Sequence, residues 1–175
     1  TDKSMEKART WYELAATEGN VYAQYNLGYI FSEGYKLDLE FPAKEKGLDI
    51  SVHGIQTMFK DASVRQNLAE AEKWYLMAAE KDFYPAMNKL AFLWACQGIK
   101  LSQAETYVKK ALAFNPSSPE IIDTYGWVLH KQGRHQEALA QLEAALKLQP
   151  EEPVIKDHIG DVQHAMGNLE LAIQT

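Results

Sequence analysis

Three polar side chains near the C-terminus are the first candidates for chemistry. Asp157, Asp161 and His164 are four and three residues apart, so on a helix they would share one face. Two carboxylates and an imidazole on one face could ligate a divalent metal. The sequence offers no second pair of ligands at a diagnostic spacing, and a solvated polar wall explains the same pattern. We therefore predict no metal site and no cofactor.

The remaining histidines and the cysteine give weaker signals. His130 and His164 occupy matching places in the repeat described below and could stack, which would make binding sensitive to pH near neutrality, but two exposed histidines more often have no such role. Cys96 is the only cysteine, so an internal disulfide is impossible, and no neighbouring residue marks it as a nucleophile. The sequence has no Gly-rich phosphate loop, no His-Glu-x-x-His and no nucleophile elbow. We predict that the protein is not an enzyme.

Composition limits the classes of partner. The chain has 175 residues, of which 46% are apolar, enough for a sizeable core. Its net charge of -6 argues against nucleic acid, which is bound through clustered Lys and Arg. No apolar run approaches the roughly 20 residues of a membrane helix, and no signal-peptide pattern follows Thr1. We expect no nucleic-acid partner and no membrane insertion.

The C-terminal half repeats with a period of about 34 residues. Four pairs of identical residues keep one constant offset: Ala111 and Ala145, Pro116 and Pro150, Gly126 and Gly160, Gly133 and Gly167. One helix pattern runs from Pro119 to Gln132 and stops at Gly133, and a second runs from His135 to Leu148 before Pro150. Each unit is therefore predicted to be a helical hairpin, with small residues where its two helices touch.

A different motif repeats upstream at a longer offset, that from Trp11 to Trp74. Six positions keep it: Trp11, Tyr12, Ala15, Ala16, Ala23 and Leu27 match Trp74, Tyr75, Ala78, Ala79, Ala86 and Leu90. The offset is too long for one repeat and too short for two, which implies an insertion after Gly34, within about residues 35–67. Alternating apolar and polar residues around Pro42 and Gly47 favour a β-hairpin there. An irregular loop over the helices is the equal alternative.

The repeat period, the recurring small residues and the terminal proline resemble the tetratricopeptide repeat (TPR) family, and the upstream motif resembles its Sel1-like variant. The resemblance implies an all-α fold, a right-handed α-solenoid of helical hairpins. Sel1-like repeats with the insertion would occupy residues 1–100, and TPR repeats, the last one incomplete, residues 101–175 of one continuous solenoid. The order of Sel1-like repeats followed by TPR repeats also resembles bacterial proteins of the cell envelope. The compartment stays open between periplasm and cytoplasm.

The resemblance further implies a protein–protein interaction module, a scaffold or adaptor. In TPR proteins, stripes on the first helix of each hairpin line a concave groove that holds a peptide. The matching positions here are Tyr22, Tyr25, Tyr29, Asn88, Phe92, Asp123, Trp127, His130, Asp157, Asp161 and His164. We expect the aromatic rings to be partly exposed, although each could instead pack on a neighbouring helix. The acidic residues predict a protein or peptide partner that is not strongly acidic and carries Lys or Arg with apolar side chains.

The last repeat stops at Thr175, a few residues into a second helix expected from about Asn168. Repeat arrays usually finish with a polar capping helix. We therefore expect either a fragment of a longer chain or a homo-oligomer in which another copy covers the C-terminal end. The alternative function is accordingly structural self-assembly through the insertion or through this end.

Overall fold

A computed structural model of the chain describes residues 13–33 and 67–167. Its helices include α1 (Val21–Glu33), α2 (Leu68–Ala79), α3 (Tyr84–Gln97), α4 (Leu101–Phe114), α5 (Pro119–Lys131), α6 (His135–Leu148) and α7 (Pro153–Ala165), and residues 13–17 are also helical. No strand occurs in the described ranges, so the all-α prediction is confirmed there. The chain forms two compact units, Thr1–Lys81 and Asp82–Thr175. The predicted β-hairpin and the expected helix from Asn168 lie outside the described residues.

In the first unit, α1 packs against α2 around a small apolar core. Its buried members are Ala16, Ala23, Leu27, Ile30 and Trp74. The backbone of Gly28 lies against the ring of Tyr75, and a methyl group added at Gly28 would be 2.5 Å from Tyr75 Cδ1. Only glycine allows α1 to approach α2 this closely.

Asn67 links the start of α2 to the end of α1. Its side-chain Oδ1 accepts a hydrogen bond from the backbone N–H of Glu70 at 3.2 Å, which caps α2. Its own backbone N–H donates to the carbonyl oxygen of Phe31 at 2.8 Å. The residues on either side of the predicted insertion therefore lie next to each other.

The second unit consists of the hairpins α3–α4 and α5–α6, followed by α7. Pro119 and Pro153 stand in the first turns of α5 and α7, where a missing N–H costs nothing. Ser118 Oγ also accepts from the backbone N–H of Ile121 at 3.4 Å. α5 ends two residues before Gly133, and α6 ends two residues before Pro150. The two predicted helices of this repeat are confirmed.

The two helices of the α5–α6 hairpin touch at Gly126. A methyl group at this position would lie 2.7 Å from Leu142 Cγ and 3.2 Å from the carbonyl oxygen of Ala138. Ala138, Leu142 and Ala145 are fully buried in this contact and join the core formed with α7. The predicted contact between small residues is therefore confirmed.

Gly126→Ala is expected to lower the free energy of unfolding. The methyl group overpacks the contact with Leu142, which typically costs about 1–3 kcal/mol, although alanine recovers up to about 1 kcal/mol as the better helix former. Urea unfolding followed by circular dichroism measures the difference. Gln136→Ala, an exposed change on α6, is the control and should stay within about 0.5 kcal/mol. A Gly126→Ala variant about 1 kcal/mol more stable than the wild type, the full gain in helix propensity, would contradict the tight contact.

Outside the helical core, Glu105 joins α4 to the turn between α5 and α6. Its carboxylate accepts hydrogen bonds from Lys109 Nζ at 2.6 Å, Gln132 Nε2 at 3.0 Å and Arg134 Nη1 at 3.1 Å. Arg134 Nη2 also donates to Glu137 at 2.7 Å. The hydrogen bond from Lys109, with those from Gln132 and Arg134, lowers the pKa of Glu105 to about 2 against the opposing effect of burial.

Glu105→Gln should remove a pH-dependent part of the stability. Because the folded-state pKa lies below the usual value, the carboxylate stabilises the fold at pH 7 and loses this contribution as pH falls from about 4.5 towards 2. We expect the variant to be about 1 kcal/mol less stable at pH 7 and the gap to shrink at pH 3. Urea unfolding at both pH values measures it, with Glu143→Gln as an exposed control. A gap independent of pH would exclude the charge as its cause.

Candidate functional site

The three predicted tyrosines lie on α1 in the first unit. Tyr22 is 55% exposed, whereas Tyr25 and Tyr29 are half-buried. The ring of Tyr25 packs against that of Tyr75 on α2, with centroids 5.9 Å apart. Tyr22 is therefore the member of this set that presents most of its surface to solvent.

The other predicted residues lie on α3, α5 and α7, the first helices of consecutive repeats in the second unit. We call their shared stripe the first-helix face: Asn88 and Phe92 on α3, Glu120, Asp123, Trp127 and His130 on α5, and Val154, Asp157, Asp161 and His164 on α7. On α7 all four side chains are exposed, and Glu120 is exposed as well. The exposed part of the face is therefore mainly acidic.

The middle of the α5 stripe is buried. Trp127 is only 8% exposed and Asp123 only 6%. His158 of α7 covers both: its Nδ1 is 2.8 Å from Asp123 Oδ1, and its ring stacks on Trp127 with centroids 4.2 Å apart and planes 18° apart. The expectation that Trp127 stays partly exposed is wrong, because α7 places an imidazole over its ring.

His130 also stacks on Trp127. Its ring lies 5.0 Å from that of Trp127 at an interplanar angle of 17°, and its Nδ1 is 3.2 Å from Nδ1 of His135 on α6. Burial lowers the pKa of His130, as do the nearby Lys131 and His135, while Asp161 acts in the opposite direction. The sequence suggested no partner for His135, and the structure places it against His130.

We call Asp123, Trp127, His130, His135 and His158 the histidine–tryptophan cluster. Lys131 adds a cation, since its Nζ lies 4.1 Å from the centroid of the Trp127 ring. Phe92 is half-buried at the edge of the cluster, with its ring centroid 6.1 Å from that of His158. The cluster therefore joins α3, α5, α6 and α7 through polar and aromatic contacts.

Asn88 is buried rather than open on the face. It is 3% exposed, and its Nδ2 donates to Glu120 Oε1 at 3.3 Å. Lys89 Nζ lies 2.8 Å from the same oxygen. Glu120 is therefore partly neutralised by α3, which leaves Asp157 and Asp161 as the main exposed acidic groups among the predicted residues.

His158 was not predicted from sequence. It lies one repeat period after Thr124, which is also buried, so the repeat offset identifies the position as one that faces a neighbouring helix. A histidine at such a position must find a partner for its ring nitrogen. The sequence alone carried only part of this signal, the repeat offset from Thr124 and the histidine itself.

Cys96 and the acidic residues give no further site chemistry. Loss of water around its sulfur raises the pKa of the Cys96 thiol, while Trp127 and Lys131 act in the opposite direction, so the thiol stays protonated at neutral pH. In residues 13–33 and 67–167, no group of three or more His, Cys, Asp or Glu side chains is arranged to hold a metal. None of the helices described is long and apolar enough to cross a membrane.

Two family models match the sequence. Residues 119–152 match the tetratricopeptide repeat, and residues 1–20, 21–40 and 57–83 match the Sel1 repeat. The chain is a tetratricopeptide and Sel1-like repeat protein. Repeats of these two kinds support a role as a protein-interaction scaffold.

Relatives of known sequence carry the same repeats. The TPR repeat-containing protein PA4667 of Pseudomonas aeruginosa is 33% identical over 88 residues, which are 49% of this chain and 15% of that protein. The sel1-like repeat-containing protein L21 of Acanthamoeba polyphaga mimivirus is 28% identical over 97 residues, 54% of this chain and 18% of that protein. The chain thus spans less than a fifth of the length of either relative.

Solved structures share the fold. A crystal structure of MamA gives a TM-score of 0.59 at 16% identity, with 99% of this chain and 90% of MamA covered. MamA of Desulfovibrio magneticus RS-1, from residue 41 onward, gives 0.58 at 9% identity, with 99% and 91% covered. At these identities the likeness concerns the fold alone.

Removing the carboxylate of Asp123 should destabilise the second unit, whereas removing that of Asp157 should not. The two residues lie one repeat period apart, but Asp123 is buried against His158 and Asp157 is exposed. Asp123→Ala leaves a buried imidazole N–H without its acceptor, at a cost of about 1–3 kcal/mol. Asp157→Ala is the control and should change stability by less than about 0.5 kcal/mol.

Urea unfolding measures this difference, and near-ultraviolet circular dichroism reports whether the aromatic stack is lost in Asp123→Ala. If both alanine variants unfold at the same urea concentration as the parent, the contact between Asp123 and His158 does not stabilise the fold.

Proposed function

We propose that the chain is a scaffold that holds a segment of another protein against the first-helix face of its second unit. The observation that carries the proposal is the exposed stripe on α7, where Asp157, Asp161 and His164 are all open to solvent. Among the described residues, neither aspartate forms a salt bridge within the chain. Two carboxylates held one turn apart on a rigid helix are therefore available for a partner's cations.

The stripe also offers apolar contact. Val154 is 49% exposed at the start of α7, and Phe92 of α3 is half-buried beside the cluster. Apolar surface next to uncompensated negative charge favours a partner that carries both Lys or Arg and apolar side chains. A strongly acidic segment would be repelled by the same carboxylates.

The spacing along α7 suggests the pattern of the partner's cations. Asp157 and Asp161 are separated by about 6 Å along the helix axis. Alternate residues of an extended chain are separated by a similar distance, about 7 Å, and project on the same side. An extended segment with two basic residues at alternate positions would therefore place one cation at each carboxylate.

The tyrosines of α1 are a separate contact surface of the first unit in this proposal. Tyr22 contributes most, because it is the most exposed of the three. Tyr rings supply a large contact area with a polar tip, which suits protein interfaces.

Selection from a displayed peptide library tests the proposal. The wild-type protein at pH 7.5 should enrich peptides with Lys or Arg at alternate positions among apolar residues. Asp161→Lys should lower the affinity of a synthetic copy of such a peptide by about tenfold or more, because an attraction becomes a repulsion. Glu143→Lys is the matched control: it makes the same change of net charge at an exposed position of α6. Fluorescence anisotropy measures both affinities.

Either of two results would overturn the proposal. One is enrichment of peptides with no excess of Lys or Arg. The other is an equal loss of affinity in Asp161→Lys and Glu143→Lys, which would mean that net charge rather than the first-helix face controls binding. Thermal unfolding of both variants should match that of the parent, since both side chains are exposed.

A further inference from the structure

The contact between His130 and His135 can exist in only some protonation states. At 3.2 Å between the two Nδ1 atoms, one nitrogen must donate its hydrogen and the other must accept with its lone pair. When both rings are protonated, each Nδ1 carries a hydrogen and neither can accept. The two rings then also carry like charges, so the contact changes from a hydrogen bond to a repulsion.

The contact between His130 and His135 lies beside the first-helix face, so its loss would affect the side chains of that face. His130 stacks on Trp127 with ring centroids 5.0 Å apart, and Trp127 in turn stacks on His158 of α7. Both His130 and His135 are half-buried, so protons from solvent can reach them. A displacement of His130 would uncover one side of a tryptophan that is 8% exposed in this structure.

Charged or titratable groups surround the pair on α5 itself and on every helix packed on it. The groups with an electrostatic effect on His130 are Lys131 on α5 itself, His135 on α6, and His158 and Asp161 on α7. Asp123 of α5 binds His158, and Cys96 of α3 lies near Lys131 and Trp127. The charged groups of α4, Glu105 and Lys109, contact Gln132 and Tyr125 of this region, and Arg134 binds Glu105 and Glu137.

The balance favours a neutral His130 ring at pH 7.5. Burial is the main cause that lowers the pKa of His130, and Lys131, His135 and His158 add to it against Asp161. Because the folded state binds this proton less readily than the unfolded state, the associated stability is present above about pH 6.5 and is lost as pH falls through the folded-state pKa. Mild acid therefore acts against the cluster.

We propose that the His130–His135 contact is a pH-sensitive latch on Trp127, and that its opening in mild acid weakens the binding of a cationic partner to the first-helix face. The effect on binding rests on the function proposed above. Two causes act in the same direction. The α5 side of the first-helix face loses its ordered stack of His130 on Trp127, and the new positive charge on His130 lies close to Asp161, which would otherwise attract the partner.

Two substitutions at His135 separate the latch from a merely structural role. His135→Gln keeps a neutral side chain that can donate to or accept from His130, but it cannot gain a charge. His135→Lys carries a permanent charge and imitates the acid state. Tryptophan emission between pH 8 and pH 5, corrected with Trp127→Phe for the other three tryptophans, reports the environment of Trp127 without any partner.

The wild type should show a change in Trp127 emission as pH falls below the ordinary histidine pKa of about 6.5. His135→Gln should show a much smaller change, and His135→Lys should show the acid-type emission already at pH 7.5. Thermal unfolding at pH 7.5 shows whether each variant is folded. If His135→Gln titrates like the wild type, the latch is excluded. If His135→Lys does not fold, the comparison of wild type with His135→Gln still decides.

Binding of a synthetic peptide tests the proposed effect of the latch on binding. The probe is the tightest-binding Lys- and Arg-containing sequence enriched at pH 7.5. Its affinity for the wild type should fall by about tenfold between pH 7.5 and 5.5, the change that corresponds to one unit of pKa. For His135→Gln the fall should be less than about threefold. Equal affinity at both pH values, with binding still lost in Asp161→Lys, would refute the latch's effect on binding and leave the proposed function standing. If no peptide binds at either pH, the proposed function fails, and the emission titration alone decides whether the latch exists.

Discussion

Two helices of a hairpin pack most closely where one of them has no side chain at the crossing. In the second unit this place is Gly126, whose backbone lies against Leu142 and the carbonyl of Ala138. The first unit uses the same device, with Gly28 against Tyr75. The short distance fixes the orientation of α1 and of α5 against their second helices. Every side chain on these two helices therefore has a defined direction, which is the condition for any ordered site on them.

The same residue type has different chemistry in successive repeats because its neighbours differ. Asp123 is buried and bound to His158, whereas Asp157, its counterpart in the next repeat, is exposed. In α5 the stripe is covered by a side chain of α7, and in α7 the corresponding stripe is open to solvent. One periodic pattern thus produces both a polar aromatic interior and an acidic surface. The interior orders the helices, and the surface remains available for contact with another molecule.

The period in the sequence is sufficient to predict the helices of the second unit, the glycine contact and the stripe of first-helix residues. These features depend on local spacing, which a constant repeat offset displays directly. Burial of Trp127 and Asp123 could not be predicted in the same way, because it depends on which side chain the next helix supplies at one position. His158 is that side chain. The partner of His130 was also missed, because His135 follows it closely across a turn whose geometry the repeat pattern does not specify.

The hydrogen bond from Asn67 to Phe31 bears on which segment of the chain can be replaced. The backbone N–H of Asn67 donates to the carbonyl oxygen of Phe31 at 2.8 Å, so the chain on the two sides of residues 34–66 is joined directly. The packing of α1 on α2 therefore does not depend on the segment between them. The entropy of closing a loop rises only slowly with its length. This junction is therefore a suitable insertion site. A short linker, a fluorescent domain or an affinity tag could replace the native segment while α1 and α2 keep their packing.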